Sequence, residues 1–151
     1  MRTYLVVIDE TTESESALRF AARRAAKTGG GVQILALLPK PEFVQWGDVQ
    51  ATIEEEARLR AEALVTGAAG TLLAESGIRP SITVRQGDPI KLAREMLAAN
   101  PDIAALVLGA AATGGPGPLV THFTGVAAGS LPCPVMIIPG SLDSDAIDRL
   151  S

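Results

Sequence analysis

Histidine, cysteine and the aromatic residues are scarce in this chain. Its 151 residues include one His, one Cys, one Trp, one Tyr and three Phe. A single cysteine, Cys133, excludes an internal disulfide and fits a reducing cytoplasm. It stands between Pro132 and Pro134 beside an apolar run, the setting of a small packing residue rather than of a reactive thiol. Long apolar runs are also missing. The longest uncharged one, Ile103 to Ala112, is too short to span a bilayer, and the opening run meets Asp9 too early for a signal peptide. A net charge of −4 and a pI near 5.0 argue against nucleic acid or an anionic membrane as a main partner. Arg19, Arg23, Arg24 and Lys27 gather on one helix, but acidic residues precede them, as on a solvated face in tune with the helix dipole. The expectation is a soluble, cytoplasmic protein. One more absence is local: no Lys or Arg occurs from Glu95 through Asp148.

What is present is regular alternation. Apolar runs of strand length alternate with segments of helical period, the signature of an α/β chain with a parallel sheet. The length suits one domain, large enough to bury about 70% of its unfolded-chain surface. Tyr4 to Ile8 reads as a first strand, apolar on both faces and hence central. Thr12 and Glu15 have capping-box spacing, Leu18, Ala21, Ala22 and Ala25 share a helix face, and Gly29-Gly30-Gly31 ends that helix. Val32 to Leu38 is a second strand. A connection containing Phe43, Val44 and Trp46 follows, readable as a ligand lid or as a packing cluster.

A long helix is expected from about Ala51 to Ser76, with Ile53, Ala57, Ala61, Leu64, Ala68 and Leu72 inward and the pairs Glu54–Arg58 and Glu56–Arg60 outside. Gly67 and Gly70 weaken its second half by roughly 1 kcal/mol each, which suggests close packing or a bend. Ile82 to Arg85 is a more polar strand suited to an edge. Asp88 caps a helix that has Pro89 at N1, with Ile90, Ala93 and Leu97 inward. Residues 1–140 form the domain, and residues 141–151 a tail with a weak helical turn around Asp145 to Leu150.

The last third carries the chemistry. The strand Ala104 to Leu108 runs into a glycine- and proline-rich loop from Gly109 to Pro118; a helical stretch begins at Thr121, and Pro132-Cys133-Pro134 opens a last strand, Val135 to Ile138. Strand, glycine loop and helix start together offer backbone N–H groups to an anion. Here that shape falls in the stretch without a basic residue.

At these mutual spacings, Leu5 to Asp9 with Ser16-Ala17-Leu18, Gly87-Asp88-Pro89, Asp102 to Gly109 and Pro132 to Val135 give a chain that resembles a universal stress protein over nearly its whole length. The resemblance implies a Rossmann-like α/β fold: a five-stranded parallel sheet in the order 3-2-1-4-5, helices on both faces, and a homodimer. In that order the carboxyl ends of strands 1 and 4 flank a crevice where open α/β sheets bind ligands. The resemblance further implies that Asp9 contacts a nucleoside, that the backbone near Leu37 contacts adenine, and that the loop after Gly109 wraps phosphates.

The family's ATP pattern is incomplete. Gly109 matches its first glycine, Ala112 replaces the second, and Thr121-His122 fall where a Gly-Ser pair belongs. Gly114, Gly115 and Gly117 offer a different register, and Ala110 to Gly115 a cradle for a smaller anion; a rigid loop with no ligand is the alternative. Pro116 and Pro118 have no N–H to give. Losing two charge-assisted phosphate contacts lowers affinity by roughly 10²–10⁴-fold. Asp9 has two open readings, a crevice group or an acceptor for the turn after its strand. His122 reads as a ring covering the loop. With no second His, paired carboxylate or nucleophile elbow, no catalytic residue and no metal ligand set stands out.

The first expectation is therefore a non-catalytic, homodimeric stress-response module. It pairs through Val135 to Ile138, has a degenerate nucleotide crevice, binds ATP weakly or not at all, and carries no resident cofactor. The alternative is an ATP- or AMP-binding member that uses the variant loop with Mg²⁺ and hydrolyses ATP slowly. An enzyme of the wider nucleotide-hydrolase group is the least supported.

Overall fold

The computed structural model describes residues 2–38, 47–79 and 81–151. The Phe43, Val44 and Trp46 cluster lies outside the described residues. The elements in chain order are β1 (Thr3–Ile8), α1 (Thr12–Thr28), β2 (Gly31–Leu38), α2 (Gly47–Ser76), β3 (Ser81–Gln86), α3 (Pro89–Ala99), β4 (Ile103–Ala110), α4 (Pro118–Thr124), a 3-10 turn (Ala128–Ser130), β5 (Val135–Pro139) and α5 (Ser144–Leu150). The five strands form one sheet in the order β3-β2-β1-β4-β5. Every pairing is parallel, with Val6 opposite both Ile34 and Val107. This is the α/β fold expected from the alternation of strands and helices, in the strand order that the resemblance implies.

Strand periodicity divides the core in two. Tyr4, Val6 and Ile8 point to one face with Ile34, Val107 and the inner residues of α1, joined by Ala68 and Leu72 of α2 and Ile147 of α5. Leu5 and Val7 point to the other, with Leu35, Leu37, Leu106 and Leu108, covered by Ala93 and Leu97 of α3 and Val120 and Phe123 of α4. Leu5, Val6, Leu106 and Val107 are fully buried, as a strand covered on both faces requires. No helix among the described residues is long and apolar enough to cross a membrane.

Several local expectations are met and others are not. Gly29 ends α1 in the left-handed region at φ 66°, and the Asp88 side chain accepts the Ile90 N–H ahead of Pro89. The Thr12–Glu15 capping box does not form: Thr11 is the N-cap and makes no side-chain cap bond. Ser14, almost wholly buried, takes over the turn. Its hydroxyl accepts the Asp9 N–H at 3.2 Å and lies 3.0 Å from the carbonyls of both Asp9 and Thr11. Helix α4 begins at Pro118 rather than Thr121, because proline at N1 gives up an N–H that has no helical partner anyway.

On α2, Arg58 bonds Glu55 and Glu62, while Arg60 reaches off the helix to Glu10. Cβ atoms placed on Gly67 and Gly70 would meet nothing within 4 Å, so neither marks a close approach. The segment after 140 contains α5, which Asp143 caps through the Ala146 N–H at 2.8 Å. Ion pairs tie α5 and α2 to α1: Asp148 to Arg19 (3.3 Å) and to Arg23, Glu75 to Arg23 (2.7 Å) and to Arg19 (3.4 Å).

Candidate functional site

Strand order reverses between β1 and β4, so their carboxyl ends diverge and leave a crevice. A cavity of about 430 Å³ occupies it, within the usual range of small-molecule sites. Its walls contain Val7, Leu37, Leu108 and Val120, which the strand period and α4 deliver to one face of the sheet. Gly87 and Pro89, at the start of α3, add a further wall, and Pro116 to Leu119 close one side. The polar part is acidic. Asp9, Glu10 and Glu13 line the cavity, and Arg60 is the one basic residue among the described residues that do.

Asp9 occupies both of its expected positions. It lines the cavity, and its Oδ1 accepts the Thr11 N–H at 2.9 Å together with the Thr11 hydroxyl. Part of its acceptor capacity is thus spent on the turn into α1. Arg60 is engaged as well: its Nε and one terminal nitrogen donate to the two Glu10 carboxylate oxygens at 3.3 and 2.5 Å. This fork-to-fork pair spans from α2 to the β1–α1 turn at the edge of the crevice.

Gly109 is explained by packing. A Cβ there would lie 2.1 Å from the Glu13 carbonyl oxygen, so the end of β4 sits directly on the first turn of α1. Gly140 packs beside it, 2.7 Å from the Ala110 carbonyl by the same construction. Beyond Gly109 the loop closes on itself, the Ala111 N–H donating to the Pro116 carbonyl at 3.4 Å. Gly114, Gly115 and Gly117 have φ of 76°, 92° and 102°, conformations that L-residues avoid. Thr121 directs both its N–H (3.1 Å) and its hydroxyl (3.0 Å) to the Gly117 carbonyl.

Of the residues singled out from sequence, Asp9, Leu37, Gly109 and Gly117 line the cavity. Ala110, Ala112, Gly114, Gly115, Thr121 and His122 are not in its lining. His122 faces α3 instead: its Nε2 lies 3.0 Å from an Arg94 nitrogen and its ring meets Phe123 edge to face at 5.0 Å. Arg94 can only donate, so Nε2 is the acceptor in this contact. Cys133 is half-buried, and burial pushes its thiol pKa up against a smaller opposing backbone hydrogen bond to Leu106, as suits a packing residue. Among the described residues no three potential metal ligands gather.

Sequence reasoning missed Glu10, Glu13, Arg60 and Pro89. Glu10 directly follows Asp9 at a strand end, and Pro89 belongs to the Gly87-Asp88-Pro89 element, so both left a trace. Arg60 left none, since only tertiary structure brings α2 to this edge.

The sequence model of the Universal stress protein family matches residues 1–139, the whole sheet without α5. No curated protein sequence matches significantly. Among solved structures, the chain is similar to universal stress protein UspA from Lactobacillus plantarum (16% identity, 91% of this chain and 97% of that one, TM-score 0.70). It is also similar to an Archaeoglobus fulgidus universal stress protein in complex with dAMP (20% identity, 91% and 97%, TM-score 0.58). A third similar structure is an Arabidopsis thaliana family protein with AMP bound (14% identity, 96% and 94%, TM-score 0.61).

Proposed function

Because the chain belongs to the universal stress protein family, we propose that it is a non-catalytic, homodimeric, cytoplasmic stress-response module whose crevice grips a triphosphate poorly. The observation that carries this reading is the composition of the lining: three acidic residues against one guanidinium that is already bound to Glu10. A triphosphate entering there meets acid at Asp9, Glu10 and Glu13. It also faces a loop whose Ala111 N–H is turned to Pro116 and whose two prolines have no N–H. The apolar walls and the cavity volume, by contrast, suit a base and ribose.

Titration calorimetry with ATP, with and without Mg²⁺, tests the reading. Saturation is expected only well above about 100 μM, and tighter binding overturns it. A second reading, a working AMP or ATP binder assisted by Mg²⁺, draws support from the AMP- and dAMP-bound neighbours. In the same titration it requires saturation in the low micromolar range. For the dimer, the supporting observation is β5, an edge strand with half-buried Val135, Met136 and Ile137, which suits pairing with a second copy. Light scattering should give twice the chain mass; a monomer at high concentration rejects the pairing.

A further inference from the structure

We propose that Glu10 and Arg60 together set the ligand class of this crevice. Glu10 holds the Arg60 guanidinium in a carboxylate pair, so the site accepts an uncharged nucleoside in preference to its phosphates. Removing the Glu10 charge converts it into a nucleoside-monophosphate site. The inference rests on the adenosine-type crevice described above and names what that crevice takes.

The argument is one of competition for a single cation. A guanidinium fork fits a phosphate as well as it fits a carboxylate, and here the carboxylate is built in. Both partners line the cavity. The pair is solvent-exposed, with side chains 51% and 43% accessible, and is therefore weakly held. A phosphate can displace Glu10 from Arg60. It then leaves Glu10 an unpaired carboxylate close by, with Asp9 and Glu13 lining the same space. The exchange yields no net gain while the repulsion remains, so the phosphate weakens binding. Without the Glu10 carboxylate, Arg60 is free for the phosphate and one source of repulsion is gone. The wall formed by Val7, Leu37 and Leu108 is untouched, so the ratio of AMP to adenosine affinity reads the phosphate contact.

Titration calorimetry of the full chain with adenosine and AMP, without divalent metal, tests this on the wild type, Glu10→Ala and the double variant Glu10→Ala/Arg60→Gln. In the wild type adenosine should bind about tenfold more tightly than AMP. Glu10→Ala should strengthen AMP relative to adenosine by about tenfold or more, the worth of one charge-assisted hydrogen bond. The double variant should lose the part of that gain that Arg60 supplies and keep only what relief of repulsion gives. An unchanged AMP-to-adenosine ratio in Glu10→Ala overturns the proposal, and so does a double variant that keeps the whole gain, since repulsion alone would then explain it. No adenosine binding to any of the three proteins overturns it too. Tight ATP binding by the wild type overturns the weak-triphosphate reading of the preceding subsection and the wild-type preference for nucleoside with it, whereas weak ATP binding with an unchanged AMP-to-adenosine ratio in Glu10→Ala overturns this proposal alone.

Discussion

Gly109 and Gly117 belong to one glycine-rich stretch at the mouth of the crevice, and they are glycine for opposite reasons. At Gly109 there is no room: a Cβ would stand 2.1 Å from the Glu13 carbonyl oxygen and 2.5 Å from its carbon. At Gly117 there is space, with nothing within 4 Å of a Cβ, but the backbone sits at φ 102° and ψ 160°, a region open almost only to glycine. The first glycine lets strand β4 dock on helix α1; the second lets the chain turn into α4. Neither requirement involves a ligand. A glycine that coincides with the start of a phosphate pattern can thus be held in place by helix–strand packing alone.

Substitution separates the two cases. Gly109→Ala should have the largest effect. The added methyl meets backbone rather than a movable side chain, so α1 and β4 must separate, at a cost of about 3 kcal/mol or more. For a domain of this size that corresponds to a fall in Tm of roughly 6–12 °C by calorimetry. Gly117→Ala should cost less, about 1–2 kcal/mol, because an exposed loop relaxes part of the φ strain. Urea unfolding of both variants checks the order. If Gly117→Ala proves the more damaging, packing does not set the identity of Gly109 and the contrast collapses.

The contrast also marks what was legible in the sequence. Strands β1 and β4 announced themselves as apolar runs, and the start of α3 at Asp88-Pro89 and the end of α1 at Gly29 were readable because each depends on its own few residues. The sheet order came through resemblance, since the interleaving of β1 between β2 and β4 is set by long-range pairing. At the N-terminus of α1, the expected capping box lost to the Ser14 hydroxyl, a competing local hydrogen bond of equal reach. Pro118 has no N–H to offer a ligand, and the same deficiency suits it to open a helix. Half the character of the crevice came from Asp9 and Leu37 at strand ends. The other half, Arg60 bound to Glu10 from fifty positions away, has no local signature at all.

A third kind of glycine sharpens the comparison with the smallest effect and the opposite sign. Gly67 lies within α2, where its backbone is helical, and a Cβ there would touch nothing within 4 Å. It has neither the crowding of Gly109 nor the positive φ of Gly117, so nothing in the folded state opposes a side chain. The remaining consequence of glycine is the entropy it gives the unfolded chain. Gly67→Ala should therefore stabilise the protein by roughly 0.5–1 kcal/mol, a rise in Tm of about 1–4 °C. An unchanged or lowered Tm would mean that α2 needs its glycine for something beyond backbone entropy, such as a close partner in an assembly. In that event α2 would join Gly109 as a surface defined by what it packs against.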